Sequence, residues 1–110
     1  LQLLINLLDN AVYWLEEKDN KKIIVTLDGD NCKLIFSDNG PGIREEDKPY
    51  IFDAFYSGKG QEGRGLGLYI SRKLMERNDY SIELAEVQSD IILCGANFVV
   101  NFIKQEHNEY

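Results

Sequence analysis

The sequence predicts an α+β fold in two layers, with helices packed on one face of a mixed sheet. Three observations predict it. Residues 1–18 and 66–77 carry apolar residues at helical spacing. Residues 22–27, 32–37, 81–87 and 96–103 are short and rich in β-branched or aromatic residues. The order helix, two strands, loop, helix, two strands fills 110 residues, which suits one domain with one core.

In the first helix Leu1, Leu4, Ile5, Leu8, Val12 and Leu15 fall at helical spacing, and Ala11 and Trp14 widen the stripe. Asn6 and Asn10 are four apart and share one face, with Asp9 beside it. Asp19-Asn20 closes the helix. The next two strands form a hairpin around Asp28-Gly29-Asp30-Asn31. Asp38-Asn39-Gly40-Pro41-Gly42 then leaves the second strand as a loop. Residues 45–53 are poorly periodic, with one helical turn expected near Pro49. Residues 56–62 combine glycine with polar residues, and a mobile segment is expected there. The second helix opens on Gly63-Arg64-Gly65-Leu66-Gly67-Leu68. It carries Leu66, Ile70 and Leu74 along one stripe, with Asn78 as its C-terminal cap. Residues 91–94 read equally well as a short strand or a core plug. The tail, 104–110, is polar.

The net charge of −7 and a pI near 4.6 argue against broad nucleic-acid or acidic-membrane binding, which needs a basic surface. Lys59 and Arg64 could supply a local exception for an anionic ligand. Cys32 and Cys94 have no CxxC spacing and no neighbouring histidine, so no zinc site is expected. Reduced thiols buried in strands are expected instead, which fits the cytosol. No apolar run reaches the roughly 18 residues of a membrane span. The chain opens at Leu1 inside a helical pattern rather than on Met, so it reads as one domain of a longer protein.

Three features carry chemistry. Asn is a mediocre helix former, and a carboxamide oxygen is a hard ligand suited to Mg²⁺, so Asn6 and Asn10 are candidate metal ligands. Asp38, directly after a strand, can accept a hydrogen bond from an amino group on a planar base. Gly40 and Gly42 would let backbone approach a flat ligand. Glycines two apart at a helix start offer free N–H groups beside the positive helix end, a cradle for phosphate. The stretch is not a Walker A loop, because no Lys-Ser/Thr follows, and it does not follow a strand as a Rossmann loop would. Each feature alone has an ordinary explanation, such as Asp-Asn-Gly-Pro turn chemistry. Their joint occurrence in this order does not.

Asn6-Leu7-Leu8-Asp9-Asn10, Asp38-Asn39-Gly40-Pro41-Gly42-Ile43, Ile51-Phe52-Asp53-Ala54-Phe55 and Gly63-Arg64-Gly65-Leu66-Gly67-Leu68 together resemble the N, G1, F and G2 boxes of sensor histidine kinase ATP-binding domains. That GHKL family is shared with DNA gyrase B, the MutL repair proteins and the ninety-kilodalton heat-shock chaperone. Gly95-Ala96-Asn97-Phe98 resembles its last strand. The resemblance implies a Bergerat-type sandwich that binds ATP with Mg²⁺. By the same likeness Asn10 ligates Mg²⁺ with Asn6 assisting. Asp38 binds the adenine amino group, with Gly40, Gly42 and Ile43 lining the base. Phe52 and Phe55 pack beneath the lid. Gly63, Gly65, Leu66 and Gly67 meet the phosphates. Lys59 and Arg64 are placed at the γ-phosphate from their charge and position.

Hydrolysing relatives carry Glu four residues before the metal-binding Asn, as base for water; here that position is Asn6, which takes no proton. The implied activity is therefore transfer of the γ-phosphoryl to a histidine on an upstream dimerisation domain, with a response regulator as indirect partner. The implied location is the cytoplasm, including the cytoplasmic part of a membrane-bound sensor. The alternatives are an ATP-gated conformational module of a non-kinase multidomain protein, a serine kinase of the anti-sigma type, and a degenerate interaction domain. The sequence departs from the family in a short segment 56–62 and in Asn78-Asp79-Tyr80, where the family usually has Gly-Gly. His107, in the polar tail, is not a candidate acceptor. The first helix is expected to offer a bare apolar face through which the chain dimerises.

Overall fold

The computed structural model describes residues 1–56 and 67–103. Helix α1 runs Gln2–Leu15 and helix α2 Gly67–Arg77. Strands β1 (Ile23–Asp28), β2 (Lys33–Asp38), β3 (Ser81–Leu84) and β4 (Asn97–Asn101) form one sheet in the order β1-β2-β4-β3. Every pairing among the described strands is antiparallel, so the sheet is not mixed. The expected two-layer α+β arrangement stands: α1 packs on α2 and β2, and α2 on β3. No helix among the described residues is long and apolar enough to cross a membrane.

Side-chain alternation gives the sheet two faces. Leu34 and Phe36 of β2, with Phe98 and Val100 of β4, join Leu3, Leu7, Ala11 and Met75 of the helices in the core. Fully burying a leucine such as Leu7 contributes about 1.5–3 kcal/mol. The opposite face carries Lys33, Ile35 and Ser37 against Asn101, Val99 and Asn97. Segment 85–96 crosses this face and covers it. Lys33 Nζ holds Asp90 Oδ1 at 2.6 Å, and the Asn97 side chain holds residues 92–95. Residues 91–94 are thus neither strand nor core plug but a covering loop.

Several expectations change. In α1 the buried stripe is Leu3, Leu7, Ala11 and Leu15; Leu1, Leu4, Ile5, Leu8 and Val12 are exposed. The helix is apolar on both sides, so periodicity alone does not say which side meets the sheet. In α2 Ser71 and Met75 are buried while Ile70 is exposed. Cys32 and Cys94 are free and exposed. Cys32 sits in the hairpin turn at φ +51° and Cys94 in the covering loop, so neither lies in a strand. The helical turn near Pro49 is a 3-10 turn at Lys48–Tyr50. Asn78 caps as expected, donating to the Leu74 carbonyl at 3.0 Å, but Asp79 takes the left-handed position at φ +62° that glycine usually fills.

Candidate functional site

Asp38 is the last residue of β2 and only 2% exposed. Its backbone is bracketed by the approach to β4: its N–H donates to the Ala96 carbonyl at 3.0 Å, and Gly95 N–H donates to its carbonyl at 3.0 Å. Its Oδ1 accepts from Gly40 N–H at 2.9 Å and Ala96 N–H at 3.3 Å. Among the described residues Oδ2 accepts no hydrogen bond. A buried carboxylate held by two backbone donors with one oxygen left over has the chemistry to accept an external N–H donor.

The loop after Asp38 is tied from both sides. Asn39 Oδ1 accepts from Lys22 N–H at 2.8 Å, and its Nδ2 donates to the Asn20 carbonyl at 2.6 Å. Gly42 stands at φ +79°, a left-handed conformation that glycine adopts freely. Gly95 has the tightest surroundings: a Cβ there would lie 2.4 Å from Asp38 Oδ1 and 2.6 Å from Gly40 N. Ile43 packs half-buried against the core.

Helix α1 connects this loop to the start of α2. Asn6 Nδ2 donates to Ser71 Oγ at 3.3 Å, and Ser71 Oγ donates to the Gly67 carbonyl at 2.8 Å. Asn6 Oδ1 accepts from Gln2 Nε2 at 2.9 Å. One turn on, Asn10 is half-buried and makes no side-chain hydrogen bond among the described residues. A further turn on, Trp14 and Tyr13 join Gly40 and Pro41 in lining an open cavity of about 520 Å³, a volume suited to a small ligand. Gly40 also faces the Trp14 carbonyl and Leu15. The asparagine face of α1 therefore runs from Gly67, where the second glycine stretch ends, to Gly40 in the first.

That donor set fits Mg²⁺. Among the described residues no three His, Cys, Asp or Glu side chains gather as a metal cage. Mg²⁺ does not need one, since it binds through one or two protein oxygens plus substrate phosphates and water. Among the described residues the Asn10 carboxamide oxygen accepts no hydrogen bond and could serve; Asn6 has its oxygen engaged by Gln2. The first turn of α2 carries no acidic residue, so its positive end stays available to an anion.

Lys59, Gly63, Arg64, Gly65 and Leu66, with segment 57–62 and His107, lie outside the described residues. Phe52 is buried, edge-on to Phe98 at 6.3 Å, with the Arg72 guanidinium 4.1 Å above its ring. Phe55 is 77% exposed at φ +66°, so of the pair only Phe52 packs inside. Close to Tyr56, Arg44 Nε meets Asp47 Oδ2 at 2.8 Å and the Tyr56 hydroxyl donates to Asp47 Oδ1. The Arg44 bond first, then the Tyr56 bond, hold the Asp47 carboxyl below its ordinary value. The bond to Asp47 pushes the Tyr56 hydroxyl up.

Sequence reasoning passed over Trp14, Ser71, Gly95 and Asn97 as site builders. Gly95, a glycine just before a strand, is the one with a readable signal, since such glycines mark close backbone approach. Ser71 could be seen only as a polar interruption of a helical stripe.

The fold is an α+β sandwich, and the family it belongs to follows from its relatives. Residues 1–107 match the family described as Histidine kinase-, DNA gyrase B-, and HSP90-like ATPase, and the chain belongs to that family. It is similar to sensor protein ChvG of Agrobacterium fabrum, at 33% identity over 98% of this chain and 19% of ChvG. It is similar to signal transduction histidine-protein kinase ArlS of Staphylococcus aureus, at 39% identity over 76% of this chain and 20% of ArlS. The catalytic domain of histidine kinase ThkA superposes with a TM-score of 0.66 at 33% identity, covering 90% of this chain and 62% of that one. The chain thus spans about a fifth of the length of the curated relatives it matches. It is homologous to the ATP-binding catalytic domain of sensor histidine kinases.

Proposed function

We propose that this chain is a single catalytic domain of a larger sensor histidine kinase. It binds Mg-ATP and passes the γ-phosphoryl to a histidine on a separate dimerisation domain. The bond from the γ-phosphorus to the bridging oxygen breaks and ADP leaves. A phosphorus–nitrogen bond forms at the imidazole, whose proton goes to solvent. A response regulator would then take the phosphoryl group, and the domain would work on the cytoplasmic side of a sensor.

Asp38 Oδ2 takes the adenine amino group, and Gly40, Gly42 and Ile43 line the base. Asn10 holds Mg²⁺, with Asn6 beside it. Gly63, Gly65, Leu66 and Gly67 are the residues we assign to the phosphates, and Lys59 and Arg64 those we assign to the γ-phosphate. Bound there, Mg²⁺ would neutralise charge on the transferring group.

The observation that carries this reading is Asn6. The position one turn before Asn10 holds a carboxamide with both ends engaged, Nδ2 on Ser71 and Oδ1 on Gln2. It cannot take a proton from water, so an acceptor other than water is favoured. Relatives at 33% and 39% identity that are sensor kinases support the same choice over a non-kinase ATPase module. The test incubates the full chain and a histidine-bearing dimerisation domain with γ-labelled Mg-ATP. Acid-labile, base-stable label on the partner is expected. Release of inorganic phosphate without protein label would refute the proposal.

The exposed stripe Leu1, Ile5, Leu8 and Val12 supports self-association through α1. Sedimentation should find a concentration-dependent dimer that Leu8→Glu with Val12→Glu returns to monomer; a monomer at millimolar concentration would exclude it.

A further inference from the structure

We infer that Asn97 is a positioning residue for the base-reading carboxylate. Its side chain sets the turn that aims Asp38, and so sets selectivity for a purine bearing a 6-amino group. The inference rests on the proposed role of Asp38 and goes beyond it.

Asn97 opens β4 and is 6% exposed, on the sheet face opposite the helices. Its carboxamide is used at both ends on one short turn. Oδ1 accepts from Ile92 N–H at 3.0 Å and Leu93 N–H at 3.2 Å. Nδ2 donates to the Leu93 carbonyl at 2.9 Å and the Gly95 carbonyl at 3.4 Å. One side chain thus folds residues 92–95 back on themselves.

The end of that turn is what touches Asp38. Gly95 N–H donates to the Asp38 carbonyl, and Ala96 N–H donates to Asp38 Oδ1. Gly95 fits so closely that a Cβ would lie 2.4 Å from Asp38 Oδ1 and 2.5 Å from the Asp38 carbonyl oxygen. The rotation of the Asp38 carboxylate, and hence the direction of Oδ2, follows the placement of this turn. Asp90 pins the turn's other approach to Lys33 at 2.6 Å and, among the described residues, makes no hydrogen bond to Gly95 or Asp38. Asn97 is therefore the side chain through which the covering loop reaches the base site. Asparagine serves because the turn asks for two acceptances and two donations from one planar group.

The experiment measures binding of ATP and of purine riboside triphosphate, which lacks the 6-amino group, to the full chain. A site built to bond an N–H discriminates against the ligand lacking it. Asn97→Ala is expected to weaken ATP about 3- to 10-fold, roughly one hydrogen bond, with the deamino nucleotide changed less than about twofold. Asn97→Asp keeps the two acceptances but sets a carboxylate oxygen against the Leu93 and Gly95 carbonyls, so it should weaken ATP at least as much as Asn97→Ala, again with the deamino nucleotide changed less. It carries the test if circular dichroism shows Asn97→Ala unfolded. Equal weakening of both nucleotides, or none, would overturn the inference. Asp38→Ala separates the two claims. If it removes the discrimination while the Asn97 variants keep it, only the inference fails; if Asp38→Ala keeps it, the base-reading role of Asp38 fails, and the inference with it.

Discussion

At the Asp38 end of the site, backbone N–H groups of Gly40 and Ala96 hold a carboxylate that is 2% exposed. At the Asn6 and Asn10 end, side chains of two helices hold one another across a half-buried seam, Gln2 to Asn6 to Ser71 to Gly67. The first end is held by backbone because its donors lie in the loop just after β2 and in the residue just before β4, and that loop and approach are tied to each other through Asp38. The second depends on how two helices sit, so it has more room to adjust. Under the proposed function, the difference would separate recognition from chemistry, with the base read by a backbone-held wall and the reacting end left adaptable.

The largest expected effect breaks the fixed end. In Asp38→Asn the amide oxygen keeps the bonds from Gly40 and Ala96, while Nδ2 replaces Oδ2 and turns a donor toward the ligand's donor. ATP affinity should fall on the order of 100-fold, the worth of a lost charge-assisted hydrogen bond, with the melting temperature nearly unchanged. Calorimetric titration of the full chain checks it, and wild-type affinity would remove Asp38 from the base site. Next comes Gly95→Ala. Its Cβ would fall 2.4 Å from Asp38 Oδ1 and 2.5 Å from Asp38 O, so strand end or turn must shift. Overpacking of this kind costs about 1–3 kcal/mol, read by denaturant unfolding. An unchanged midpoint would show that the wall gives more readily than its hydrogen bonds imply.

The adaptable end should separate binding from stability in the opposite way. Asn10 is half-buried and makes no side-chain hydrogen bond among the described residues, so Asn10→Ala should change stability by less than about 0.5 kcal/mol. The gain in ATP affinity on adding Mg²⁺ should nevertheless shrink about tenfold, the worth of losing one ligand to a cation that keeps few protein ligands. Titrations with and without Mg²⁺ decide it. A variant that loses stability but keeps the Mg²⁺ dependence would make Asn10 a packing residue.

Legibility in the sequence follows the same division. Helix and strand order was readable because each element carries its own period, and every boundary of α1, α2 and β1–β4 lies within a few residues of its expectation, whereas the 3-10 turn at Gln88–Asp90 had none. Which stripe of α1 faces the sheet was not, because Leu3, Leu7 and Ala11 compete with Leu4, Leu8 and Val12 on an almost wholly apolar helix. Asp38 stood out because it follows a strand directly, and Gly42 because a glycine can take the positive φ it shows here, +79°. Asn97 did not: its four hydrogen bonds exist only once segment 85–96 is laid over the back of the sheet. Ser71 was hidden for a related reason, since its partner Asn6 lies 65 residues away on another helix.

The smallest expected effect concerns the bracket that follows the base loop, where Arg44, Asp47 and Tyr56 meet near the surface. Asp47 is held low by Arg44 and then Tyr56, so its folded carboxyl ionises more readily than in the unfolded chain. Its contribution to stability is present above the ordinary carboxylate value of about 3.9 and is lost as pH falls through its lower folded value. Tyr56 is held high, mainly by its bond to Asp47. Its contribution is present below the ordinary phenol value of about 10 and is lost as pH rises toward its higher folded value. The bracket is thus closed across the neutral range and opens at both extremes. Absorbance titration of the chain's six tyrosines should show one group ionising above the ordinary range. Tyr56→Phe should remove that component, and Asp47→Asn should bring it back toward the ordinary value. A late-titrating tyrosine that survives Asp47→Asn would mean that the carboxylate is not what holds the proton. The bracket would then tie residues 44–56 by packing, as the Asp38 end is tied by its backbone.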